Sequence, residues 1–205
     1  VLIANKIDDG YIRPVSWRGS EMMGISAQTN TIHFALAAWK WPSYFSPEAK
    51  LKGIKLNISK WRRPDPLTAP VNTKAAGLYM ICTLSKHEAE SKGFDDSLML
   101  DYRGYIAEAT GANIFFIKNN EIHTPIADCF LDGITRQTVI NIARTEGIKV
   151  EEKRLNIEDI NDYEECFVTG TAAEVTPVRS IANYEFKPGK LCKFFIEKYS
   201  ELTLS

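Results

Sequence analysis

Lys74 lies in Asn72-Thr73-Lys74-Ala75-Ala76, directly after a Pro-rich stretch containing Pro64, Pro66 and Pro70. Small and apolar residues at Ala75, Leu78, Tyr79, Cys82 and Ala89 predict a helix over residues 73–91. That places Lys74 in its first turn, where the positive end of the helix dipole disfavours the charged amine. A neutral lysine can attack a carbonyl carbon and form an imine, which is the chemistry this placement suits.

Three further features suit an anion. Leu131-Asp132-Gly133-Ile134-Thr135-Arg136 is a loop running into a helix N-terminus, so the free N–H groups of Ile134 and Thr135 would point at a phosphate. Thr169-Gly170-Thr171-Ala172-Ala173 follows a strand and offers hydroxyls and unobstructed amides to a phosphate or a carboxylate. Arg13, in Tyr11-Ile12-Arg13-Pro14, is a charge inside an apolar strand pattern. Glu108 sits in an otherwise apolar and small stretch, residues 104–116, and an acid there needs a partner. A protonated ring nitrogen would be one.

The elements that must hold these groups follow from periodicity and turn chemistry. Strands are expected over 11–17, with Pro14 marking an edge or bulge, and over 32–39 and 53–61. An aromatic stretch follows the second, from Trp39 to Phe45. Hairpins are expected around Asp101–Gly104 and around Asn119-Asn120. Helices are expected over 134–146, closed by Gly147, and over 189–202; Gly93 suits a C-terminal cap. Residues 149–155 and 165–169 read as strands. Grouped strands with a few helices between them give an α+β class rather than a regular βαβ alternation.

Composition sets the outer bounds. The 205 residues carry a net charge of -1, and the longest basic cluster is Lys60-Trp61-Arg62-Arg63, which excludes an electrostatic nucleic-acid or anionic-membrane partner. Four cysteines and three histidines are spread without a metal-ligand spacing, so no metal is expected. The cysteines read as buried thiols in a reducing compartment, the cytoplasm. No apolar run reaches membrane-spanning length.

Five ordered motifs carry a resemblance. Tyr-Ile-Arg-Pro at 11–14, Thr-Lys-Ala-Ala-Gly-Leu-Tyr at 73–79, residues 104–116, Leu-Asp-Gly-Ile-Thr-Arg at 131–136 and residues 170–179 resemble the branched-chain amino acid aminotransferases. These belong to the fold-type IV pyridoxal-phosphate enzymes. The resemblance implies the large domain of the D-amino acid aminotransferase-like fold, a pseudo-barrel of strands with flanking helices. It implies that residues 1–10 are a linker stub from an absent smaller N-terminal domain, and that 11–205 form the cofactor-binding domain. Lys74 would hold pyridoxal 5′-phosphate and carry the substrate proton. Glu108 would bond the pyridine nitrogen and Tyr79 the phenolic oxygen. Ile134, Thr135 and Thr171 would bind the phosphate. Tyr11, Arg13, Thr171, Ala172 and Ala173 would face the substrate, and a dimer or larger homo-oligomer is implied.

The activity so implied is transamination of leucine, isoleucine or valine with 2-oxoglutarate. Ala112 departs from the pattern, since many branched-chain enzymes carry Glu there. A D-amino acid aminotransferase or an aminodeoxychorismate lyase-like enzyme is the alternative on the same fold. A non-catalytic remnant is a second alternative, and a hydrolase using Asp101 and Glu108 as paired carboxylates is a third.

Overall fold

The computed structural model describes residues 1–41 and 44–204, so Pro42 and Ser43 of the aromatic stretch lie outside the described residues. Contacts divide the chain into two compact units, Val1–Tyr44 and Phe45–Ser205.

The first unit is a short 3-10 turn, Ile3–Asn5, and an antiparallel pair, β1 (Tyr11–Arg18) and β2 (Ile32–Trp39). Tyr11 pairs with Trp39 at one end and Arg18 with Ile32 at the other. Pro14 is tolerated because the sheet has two strands, leaving an edge on which no N–H is required. Tyr11 packs its ring against Trp39 and Trp41, with centroids 5.2 and 4.7 Å away. The Arg13 guanidinium lies 5.3 Å from the Tyr11 ring centroid and 5.6 Å from that of Trp39. Its charge therefore rests on aromatic faces rather than on a carboxylate.

The second unit runs α1 (Pro47–Lys52), β3 (Ile54–Arg63), α2 (Tyr79–Ser91), β4 (Asp96–Asp101), β5 (Ile106–Ala109), β6 (Asn113–Lys118) and β7 (Glu121–Pro125). It continues through α3 (Ile134–Thr145), β8 (Val150–Lys153), β9 (Glu165–Gly170), β10 (Glu174–Ile181), β11 (Tyr184–Glu185) and α4 (Lys190–Leu204). The strands form one mixed sheet in the order β5-β4-β3-β10-β9-β6-β7-β8, with β11 on β10. The sheet curls: at its β5 edge, Ile106 N–H donates to the carbonyl of Leu155, just beyond β8 at the opposite edge, at 2.8 Å. The expected α+β pseudo-barrel is therefore present.

Burial on both faces explains the sequence of β6. Ile114 and Phe116 point into the curl, against Leu56, Leu98, Val168 and Val178. Phe115 and Ile117 point the other way, onto a layer built from α3 and α4. There the rings of Phe115 and Phe167 stack at 4.9 Å. A strand buried on both sides reads as a continuous apolar run, as Ile114–Ile117 does. Asn119 and Asn120 both have positive φ, 53° and 59°, as a two-residue hairpin turn requires. All four cysteines are buried and unpaired. Among the described residues no helix is long and apolar enough to cross a membrane.

Three sequence-based expectations need correction. The helix over 73–91 is shorter: residues 76–78 form a 3-10 turn and the α-helix starts at Tyr79. Pro70 and Gly77 explain this, since the Pro70 carbonyl accepts the Thr73 N–H at 3.0 Å in a local turn and Gly77 is a poor helix former. The strand over 149–155 contracts to four residues. No strand was expected at 174–181, yet β10 lies mid-sheet, parallel to β3 and antiparallel to β9. Pro177 hid it, and the sheet accepts that proline because pairing with β3 begins only at Val178.

Gly53 shows how tightly β3 and β10 approach. It has φ +86°, and an added Cβ would meet the Arg179 backbone nitrogen at 2.8 Å. Gly53→Ala is expected to destabilise the protein by about 1–3 kcal/mol. A urea melt checks this, and an unchanged midpoint would contradict it.

Candidate active site

Lys74 does not sit in a helical turn. It is exposed in the loop before the 3-10 turn, so no helix dipole acts on it as the sequence suggested. The loop is fixed instead by Thr73, whose N–H and Oγ1 both donate to the Pro70 carbonyl, and by the buried Val71. The Lys74 ammonium lies 5.4 Å from the centroid of the Tyr79 ring. The residue expected to hold the cofactor and the one expected to bond its phenolic oxygen are thus neighbours.

Glu108, on β5, is buried, with 8% of its surface exposed. Burial pushes its carboxyl up to about 8, and the nearby positive charges of Arg63 and Lys74 offset this only in part. The Lys74 charge thus acts on the same carboxyl that the sequence paired with a ring nitrogen. Arg63 closes β3 and is itself buried. Its Nε lies 3.4 Å from Glu108 Oε1, yet that nitrogen makes no hydrogen bond, and Nη1 reaches only the Cys82 sulfur at 3.5 Å. The pair is long and undirected, which is why desolvation prevails over it. Asp96 adds a like charge that raises Glu108 further, while its own Oδ1 accepts from Ser97 N–H and Thr110 Oγ1. With only the long Arg63 contact and a 3.3 Å bond from Asn113 Nδ2 to set against burial, this acid fits a cationic N–H donor.

The turn expected to bind an anion also leaves amides without a partner. Gly133, the N-cap of α3, has no side chain to cap the first turn, and the Gln137 N–H is the donor that reaches the Gly133 carbonyl. The amides of Ile134 and Thr135 precede that first helical bond and remain free for an anion. The Ile134 side chain is exposed, whereas Thr135 is buried with its hydroxyl 3.4 Å from the Tyr199 hydroxyl. Arg136 is not part of an anion clamp. It is fully buried and committed to Asp132 at 2.6 Å, Glu152 at 2.7 Å and the Pro125 carbonyl at 2.9 Å. It holds the turn in place.

Thr171, Ala172 and Ala173 form the β9–β10 turn. Thr171 is exposed and Ala172 half-buried, but the Ala173 methyl is packed in the core, so only its backbone can face a ligand. Glu174 takes a left-handed φ of 53°, which lets the turn close tightly. A Cβ at Gly170 would lie 3.4 Å from the Gly111 carbonyl, so this turn sits against the β5–β6 turn. Lys74, Tyr79, Glu108, Ile134, Thr135 and Thr171–Ala173 all belong to the second unit, while Tyr11 and Arg13 belong to the first.

The paired-carboxylate alternative fails on hydrogen bonding. Asp101 Oδ1 accepts from the Arg103 and Tyr105 amides, and Oδ2 accepts from Arg103 Nε at 2.8 Å, leaving no free acid. Two clefts elsewhere, about 550 Å³ between α3 and α4 and about 440 Å³ around His123 and Tyr163, bring none of these groups together.

The sequence missed Arg63 and Asn113. A charged residue closing an alternating strand was the signal for Arg63. For Asn113 it was a polar residue opening the apolar run Ile114–Ile117.

A curled mixed sheet of this kind, with flanking helices, is the fold-type IV architecture. The sequence profile for class IV amino-transferases matches residues 1–181. A probable branched-chain-amino-acid aminotransferase of Rickettsia bellii is 46% identical over 202 residues, covering 97% of this chain and 68% of the relative. The branched-chain amino acid aminotransferase structure from Escherichia coli superposes with a TM-score of 0.94 at 34% identity, over 98% of this chain and 68% of that one. An aminotransferase from Brucella abortus, solved with bound pyridoxal phosphate, gives 0.84 at 34% identity, over 96% of this chain and 69% of that one. The chain belongs to the class IV aminotransferase family. It spans between 60% and 68% of the length of its first curated relatives.

Proposed function

We propose that the chain is the cofactor-binding portion of a pyridoxal 5′-phosphate-dependent aminotransferase acting on leucine, isoleucine and valine with 2-oxoglutarate. The observation that carries this reading is Glu108, a buried, under-compensated acid whose carboxyl feels the charge of Lys74. The cofactor, when bound, supplies an electron-accepting pyridinium ring. Every other task falls to this chain's own groups.

Glu108 holds the ring nitrogen protonated by offering its carboxylate. The amides of Ile134 and Thr135 and the Thr171 hydroxyl bind the phosphate. Tyr79 would bond the phenolic oxygen, and Lys74 would be the amine that holds the aldehyde end, with loss of water, and the base that moves the substrate's α-proton. The Thr171–Ala173 turn meets the substrate carboxylate, with Tyr11 and Arg13 on the substrate side. Branched-chain specificity rests on the Rickettsia bellii and Escherichia coli relatives named above. Residues 11–205 act as one cofactor-binding portion of an at least dimeric enzyme in the cytoplasm, where buried thiols stay reduced.

Borohydride reduction tests the attachment. A yellow protein should bleach, and peptide mapping should find the label on Lys74; a colourless protein that never takes up pyridoxal phosphate supports the non-catalytic remnant. A substrate panel tests specificity. Turnover of D-alanine without turnover of leucine, isoleucine or valine would transfer the assignment to the D-amino acid enzymes.

Thr171→Ala is expected to weaken cofactor binding severalfold, up to about tenfold, because one hydroxyl is lost while backbone donors remain. Equilibrium titration of the cofactor absorbance measures this, and a loss beyond a hundredfold would give Thr171 a larger role than stated.

A further inference from the structure

Asn113 opens β6 and is buried, with 5% of its surface exposed. Its Nδ2 donates to Glu108 Oε2 at 3.3 Å and to the Leu131 carbonyl at 2.9 Å. Its Oδ1 accepts the Gly133 N–H at 3.3 Å. Both amide N–H groups and the carbonyl oxygen are therefore used. The orientation is determined by the partners: a flipped amide would set its oxygen against a carboxyl and a carbonyl and its N–H against an N–H.

One side chain thus touches two places that serve opposite ends of a single ligand. Glu108 is the acid assigned to the ring nitrogen, and Gly133 is the N-cap of the phosphate-binding helix. The position of the Asn113 backbone is set independently of both, by pairing of β6 with β9, where Asn113 lies opposite Thr169. The fit to Gly133 is close: a Cβ there would come within 2.5 Å of Asn113 Oδ1.

We propose that Asn113 is a positioning residue that fixes the separation between the ring-nitrogen acid and the phosphate-binding turn, and so selects pyridoxal 5′-phosphate over the unphosphorylated vitamer. This rests on the function proposed above. A ligand that needs both ends met at once gains from a fixed spacing, because no ordering of the turn is left to be done on binding. Pyridoxal, which lacks the phosphate, meets the acid but not the turn and so gains little from the fixed spacing.

The test is equilibrium binding of pyridoxal 5′-phosphate and of pyridoxal, read by absorbance, in the wild type, Asn113→Asp and Gly133→Ala. Asn113→Asp keeps the shape and the acceptor for the Gly133 N–H but turns the donor into a carboxylate facing Glu108. Gly133→Ala keeps the Asn113 residue but forces its amide away from the turn, so it remains informative should the first variant fold poorly. Both are expected to lower the preference for the phosphorylated form about tenfold or more, the loss of two or three hydrogen bonds. The readout is the ratio of the two affinities, which a merely structural role would not move, because a loosened fold weakens both vitamers alike. Preference within twofold of wild type in either folded variant overturns the proposal. A wild type that binds neither vitamer defeats the proposed function itself, whereas unaltered selectivity in variants of a wild type that binds well defeats only the role of Asn113.

Discussion

Lys74→Ala is expected to retain less than about a thousandth of wild-type turnover, because the proton carrier and the point of covalent attachment are lost together. No neighbouring lysine can replace it. Lys86 bonds the Asp95 carbonyl and Lys92 pairs with Glu88 at 2.7 Å, both toward the far end of α2. Lys74→Arg is the informative companion. It retains a positive charge beside Glu108 but cannot form an imine, so it should bind pyridoxal phosphate and yet fail to turn over. Single-turnover kinetics with each variant make the measurement. Activity above about one per cent in either would remove Lys74 from the chemistry.

Glu108→Gln should lower kcat by about 10²–10³-fold, the usual effect of removing a group that stabilises developing charge in a buried site. Its second signature is in the cofactor-free protein. The folded-state pKa of Glu108, about 8, lies above its unfolded value of 4.5. Between those values the folded chain binds more protons than the unfolded chain, so stability is greatest below the lower value and falls as pH rises through the higher one. Wild-type protein without cofactor should therefore lose melting temperature between about pH 5 and 8.5, and Glu108→Gln should lose less. Cofactor binding should shrink the difference, because the ionised form then has a cationic partner. Parallel pH profiles for wild type and Glu108→Gln would show that burial does not hold the proton as described.

The sequence revealed elements wherever the local signal and the final packing agree. β6 is an apolar run because both its faces are buried, and the paired asparagines at 119–120 supply the positive φ values the hairpin needs. α3 was legible from its period and from Gly147. Lys74 was identified as a candidate but placed on the wrong element, since the turn around Pro70 competes with the helical pattern. β10 was hidden by Pro177, whose tolerance depends on where β3 begins to pair. The Arg63–Glu108 and Asn113–Gly133 contacts join residues 45 and 20 positions apart, and no local pattern encodes such contacts.

The sheet order has a consequence for biosynthesis. β3 and β9 become neighbours only through β10, the last long strand to be made. A chain emerging from the ribosome must keep two unsatisfied strand edges apart until residue 181 is free to insert between them. Parallel pairing of β3 with a strand more than a hundred residues later is a slow, high-contact-order step. Chaperone dependence, and aggregation of fragments ending before Glu174, should therefore be the weak point in producing this protein.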